Sequence, residues 1–171
     1  MDDATLIRGT LTGRLEDFET LVERYQKMLY AFVHHELADA DAADDVVQAT
    51  FVSAWTHLAT FRFESSFKTW LHEIARNECR TRFRRRRAEI SLDEAAQSSL
   101  PADAGDPNER RLRAELAREV AKLPPRQRSV LSLRIFSDLP FREIARIEGV
   151  SINAAKVSFH LAVKRLKGWL T

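Results

Sequence analysis

The sequence has 171 residues, enough for one ordinary domain or two small ones. Apolar residues make up 44% and glycine and proline number 5 each, so a packed core is within reach and a turn-rich all-β fold is disfavoured. The single cysteine, Cys79, excludes an internal disulfide and a cysteine-based zinc site, while the acidic start MDDATLIRGT and the lack of any long apolar run predict a soluble cytoplasmic protein without membrane insertion.

In chain order, Leu15, Phe18, Leu21, Val22, Tyr25, Met28, Leu29, Phe32 and Val33 recur at steps of three and four and predict a long first helix. Asp39 and Asp41 offer N-caps for a second helix, whose apolar stripe is Val46, Val47, Phe51, Ala54, Trp55 and Leu58. Residues 1–60 hold 11 acids against 4 bases. The loop FRFESSF (61–67) follows. Ser65 or Ser66 can cap a third helix carrying Trp70, Leu71, Ile74, Ala75 and Phe83, which ends in the arginine run 84–87. Residues 61–87 reverse the charge, with 9 bases against 3 acids.

Residues 88–109 carry 6 acids and no base and show no sustained period, so they are expected to form a flexible acidic linker. A fourth helix from about Glu109 to Leu123 places Leu112, Leu116, Val120 and Leu123 on one face, and Pro124-Pro125 ends it. A fifth spans 126–136 with Val130, Leu131, Leu133 and Phe136 apolar. The expected fold is therefore all-α, with two small helical domains at 1–87 and 110–171. A domain of about 60 residues buries only about 60% of its unfolded surface, so each half is expected to lean on a partner.

Two constellations carry function. FREIARIEGVSINAAKVSFHLAVKRL (141–166) has the pattern of a helix-turn-helix. Gly149 suits the turn and Ser151 can cap the second helix. That puts Asn153, Lys156, Val157 and His160 at its front, where Asn can read adenine and Lys can meet guanine or phosphate. Lys164 lies further along and suits a phosphate. FRFESSFKTWLHEIARNECRTRFRRRR (61–87) combines aromatics with a dense basic helix, the pairing that holds single strands. Phe61, Phe67 and Trp70 fit a core, whereas Phe63 and Glu64 sit at the loop tip and suit an unstacked base. Residues 126–171 again carry 9 bases against 3 acids, so two separate basic surfaces point to two contacts with a polyanion. The histidines form no convincing ligand set, and no catalytic triad, phosphate loop or paired catalytic carboxylates emerge. No metal, cofactor or enzymatic activity is expected.

The strings ADDVVQATFVSAW, FKTWLHEIARN and LPPRQRSVLSLRIFSDLPFREIA resemble the extracytoplasmic-function (ECF) sigma factors of bacterial RNA polymerase, a branch of the sigma-70 family. Residues 15–87 resemble sigma region two and 110–171 region four. The resemblance implies a transcription initiation factor that binds core polymerase, recognises minus-thirty-five and minus-ten elements and promotes melting. It implies that Asp45 and Gln48 grip the β′ clamp helices, with Ala49 where a glutamate is usual, and that region four meets the β flap. It gives Arg76, Asn77, Arg80 and Arg84 to the helix reading the minus-ten element, and Phe63 and Glu64 to the loop capturing a flipped base. Ser151, Asn153, Lys156, Val157, His160 and Lys164 fall on the minus-thirty-five helix. Asn153, Ser158 and Leu161 depart from the basic or small residues common in the family. Promoter DNA, duplex and single-stranded, and a sequestering anti-sigma factor are the implied partners. The rival reading is a stand-alone helix-turn-helix regulator, which leaves the aromatic-basic segment unexplained.

Overall fold

The computed structural model describes residues 1–90 and 106–171, and most of the expected linker lies outside the described residues. Among the described residues eight helices follow in order: α1 (Asp3–Leu11), α2 (Leu15–Leu37), α3 (Ala40–His57), α4 (Phe67–Ile90), α5 (Pro107–Ala121), α6 (Pro125–Ile135), α7 (Phe141–Glu148) and α8 (Ile152–Leu170). A single 3-10 turn, Leu58–Thr60, follows α3, and no strand occurs among the described residues. The all-α architecture is that of two helical lobes.

Short-range chemistry sets the helix starts. The Asp39 carboxylate accepts from the Ala42 amide at 3.1 Å, Ser66 Oγ from Thr69 at 3.1 Å and Ser151 Oγ from Ala154 at 3.0 Å, each satisfying an orphan first-turn donor. Pro107 and Pro125 occupy first-turn positions, where a missing N–H costs nothing. The proline pair therefore both closes α5 and opens α6. Gly149 ends α7 with φ of 66°, the left-handed conformation that makes the turn into α8.

In the first lobe, Leu21, Leu29, Phe32 and Val33 of α2 pack with Ala43, Val46 and Ala54 of α3 and with Leu71, Ala75 and Cys79 of α4, all buried. Burial pushes the Cys79 thiol up to about 12, which makes it an inert core group. In the second lobe, Val130 and Leu133 of α6 meet Ile144 and Ile147 of α7 and Ala155 of α8. The two sets form one contiguous apolar cluster. Each half leans on the other.

Three expectations differ. Trp55 is 43% exposed, because it follows Ala54 by one residue and so turns off the buried stripe. On α5 only Val120 of its own leucine-and-valine face is buried, with Leu112 53% and Leu116 40% exposed. Phe136 is also exposed, yet its ring stacks on His35 of α2 with centroids 4.1 Å apart.

Candidate nucleic-acid interface

The loop between the 3-10 turn and α4 is built around aromatic rings. Phe61 and Phe67 are buried and Trp70 half-buried, with Phe61–Trp70 centroids at 5.1 Å. Phe63 stands outside this cluster, 46% exposed, with its centroid 4.8 Å from that of Phe61. Its φ is 58°, a conformation that a bulky residue adopts only under constraint. The Arg8 guanidinium of α1 lies over the Phe63 ring, 5.7 Å from its centroid. Glu64 is exposed beside it. The Arg8 contact has no sequence signature, since the two residues are far apart in the chain and α1 is short.

The basic helix α4 carries Asn77, Arg80 and Arg84 exposed along one face. With Phe83, Arg86 and Arg87 they line one wall of a cleft whose other wall is Pro125 and Arg128 of α6. Arg76 sits differently. It is 8% exposed, its Nη1 lies 3.0 Å from Glu36 of α2 and its Nε 3.0 Å from Glu148 of α7. Ser129 of α6 donates to Glu148. Three helices thus meet at one guanidinium, and a fourth, α6, joins them through Glu148. Burial pushes the Glu36 carboxyl up to about 7 despite the nearby Arg76 and Arg128 charges. Three further contacts join the lobes. His72 Nδ1–H donates to the Lys68 carbonyl at 2.7 Å, leaving Nε2 to accept from the Ser137 hydroxyl at 2.7 Å. Arg146 Nε donates to Glu73 at 2.8 Å. The third is the His35–Phe136 stack.

On the second lobe, α8 rests its inner face on the core through Ala155 and Ala162, with Phe159, Val163 and Leu166 partly buried. Its outer face exposes Ser151, Asn153, Lys156, Val157, His160 and Lys164, together with Leu161. Leu161 is exposed on that surface despite its apolar character.

Away from these basic faces, α2 and α3 leave an apolar groove lined by Phe18, Val22, Val47, Phe51, Val52 and Trp55. Phe18 and Trp55 meet edge-on at 4.9 Å. Gln48 and Asp44 stand on its rim. Asp45, on the same helix, is exposed and 3.7 Å from Arg82. Among the described residues no group of three or more His, Cys, Asp or Glu side chains is arranged to hold a metal, and no helix is long and apolar enough to cross a membrane.

Comparison with known proteins places these surfaces in context. The chain matches the family described as Sigma-70 region 2 over residues 21–89 and Sigma-70, region 4 over residues 113–166. It is 32% identical to RNA polymerase sigma factor YlaC of Bacillus subtilis over 161 residues, covering 91% of this chain and 93% of that protein. It is 25% identical to the ECF RNA polymerase sigma factor SigW of the same organism, covering 94% and 92%. Its fold is similar to that of CnrH in complex with the cytosolic domain of CnrY, with a TM-score of 0.77 at 26% identity over 98% of this chain and 96% of that one. It is similar in the same degree, TM-score 0.77 and 26% identity, to the sigma factor RpoE in complex with the anti-sigma factor NepR from Bartonella quintana, over 91% and 97%.

Proposed function

The chain belongs to the sigma-70 family as an RNA polymerase sigma factor of the ECF kind, and from that membership we propose how its surfaces divide the work of starting transcription. The α2–α3 groove with Gln48 on its rim, together with Asp45 on the α4 side of α3, takes the β′ clamp helices of core polymerase, and the second lobe meets the β flap. The outer face of α8 holds the minus-thirty-five element as duplex. Asn153, Lys156, Val157 and His160 face bases, with Ser151 and Lys164 on phosphates. Asn77, Arg80 and Arg84 of α4 track the minus-ten strand. Phe63 and Glu64 receive an unpaired base, and Arg76 reaches DNA once the lobes part. The functional division runs as 1–87, 88–109 and 110–171. Capturing melted bases favours the open state and so pulls the duplex open without ATP. Polymerase supplies the chemistry, so the factor is not itself an enzyme and acts in the cytoplasm where promoters and polymerase meet. An anti-sigma factor is the proposed inhibitor, by likeness to the RpoE–NepR complex.

The observation that carries this reading is the pairing of two exposed basic faces, on α4 and α8, with an aromatic loop whose strained tip residue is held outward. A stand-alone regulator of duplex DNA has no use for that loop. Reconstituted transcription with core polymerase on a promoter library is the direct test. Phe63→Ala and Asn77→Ala are each expected to reduce open-complex formation on duplex promoters, and a premelted bubble of the same sequence should recover the melting part of the defect. Normal transcription from duplex promoters by both variants would rule out the assignment.

A further inference from the structure

The outer face of α8 is not uniformly polar. Val157 is 53% and Leu161 43% exposed, one turn apart, and with Lys156 and His160 they line a shallow depression on the helix surface. Neither contributes to the core, which α8 meets through Ala155 and Ala162 on its opposite side. A lone exposed leucine needs no explanation. Two apolar side chains on successive turns, beside Asn153, Lys156, His160 and Lys164, do, because docking strips their water.

The edges of base pairs in the major groove are mostly hydrogen-bonding groups, and the one bulky apolar group among them is the C5 methyl of thymine. Leucine and valine have nothing to offer guanine O6 and N7, and covering those acceptors without a donor leaves them unsatisfied. Set against thymine, the same side chains exclude water from two apolar surfaces at once. Resting on the reading of α8 as the minus-thirty-five helix, we propose that Val157 and Leu161 are specificity-determining residues that read thymine methyl groups. The upstream element of this factor then has A·T pairs at the positions the pair covers, flanked by positions read through Asn153 and Lys156.

The chemical test removes the methyl and nothing else. Duplexes carrying the preferred minus-thirty-five element are selected with reconstituted holoenzyme, and each selected thymine is replaced in turn by deoxyuridine, which keeps every hydrogen-bonding group. The wild-type holoenzyme is expected to lose about fourfold in affinity for each methyl covered, the factor corresponding to about 0.8 kcal/mol per buried carbon. The Val157→Ala, Leu161→Ala double variant should bind thymine and deoxyuridine duplexes alike, as a double-mutant cycle requires. Leu161→Gln, which keeps chain length and helix preference, should lose the Leu161 share alone. A wild-type holoenzyme that binds the selected duplex tightly yet ignores deoxyuridine at every position overturns the proposal, and so does a penalty that persists undiminished in the double variant. Holoenzyme that shows no upstream duplex preference at all overturns the reading of α8 itself, a distinguishable result.

Discussion

Gly149 is where one residue decides the turn that sets α8 against α7. Its φ of 66° sets the angle between α7 and α8, and an added Cβ would meet nothing within 4 Å. The penalty for a side chain there is purely backbone strain. Gly149→Ala is expected to lower stability by about 1 kcal/mol, read as a lower urea midpoint with an unchanged slope. An unchanged midpoint would mean that the turn relaxes without cost. This turn was legible in the sequence, because glycine between an apolar helix and a capping serine has few other uses. The strain at Phe63 was not, since no propensity marks a phenylalanine at φ of 58°. Nor was the burial of Arg76. Its carboxylate partners stand 40 and 72 positions away. In a run of basic residues one arginine reads like another.

At the scale of the element, long amphipathic helices announced themselves and a short one did not. α1 has 9 residues, of which Leu6 and Ile7 are its buried apolar side chains, too few to establish a period. It is held instead by tertiary contacts, with Arg24 Nη2 donating to the Met1 carbonyl at 2.9 Å and Gly9 packed against the Asp17 side chain. On α3 the period was right and its width misleading. Trp55 and Val52 face outward over the α2–α3 groove, so an apolar residue in a helical pattern marks an interface as readily as a core. The exposed polar residues of α3 give a clean separation of roles. Asp45 meets Arg82 only across an exposed 3.7 Å pair, of the kind worth little in water. Asp45→Ala with Gln48→Ala should therefore shift stability by no more than about 0.5 kcal/mol while weakening binding to the β′ clamp helices. Core-polymerase affinity that survives the double change, or a collapse in melting temperature, would remove these residues from the contact.

For the molecule as a whole, the alternation of acidic and basic blocks forecast two exposed basic faces, but nothing local could forecast that the halves would share one apolar cluster and lock through buried polar groups. That junction titrates. Burial lowers His72 and His35 to about 4, so each contributes stability present above pH 6.5 and lost as pH falls toward 4. Glu36, raised to about 7, works the other way. Its contribution is full below pH 4.5 and is lost as pH rises through 7. With Lys68 beside His72, His34 beside His35, and Arg76, Arg128, Arg80 and Glu148 around Glu36, the two imidazoles outweigh the one carboxyl between pH 6.5 and 5. Melting temperature is expected to fall across that interval. His72→Gln should flatten the fall and Glu36→Gln should steepen it. Slopes indifferent to both changes would mean that the junction does not stay closed in solution.

The three-helix meeting at Arg76 also bears on how tightly the isolated chain can hold DNA. Glu36 and Glu148 surround that guanidinium with carboxylate oxygens, the same kind of partner that a phosphate would offer, and α6 walls the cleft holding Asn77, Arg80 and Arg84. On the reading proposed for α4, nucleic acid and the second lobe compete for one surface. The measured dissociation constant of the free chain then equals the intrinsic constant divided by the open fraction. Each tenfold excess of the closed form, about 1.4 kcal/mol, weakens binding tenfold. On the same reading, a core polymerase that engages the two lobes at separate places would remove that handicap without touching a single base.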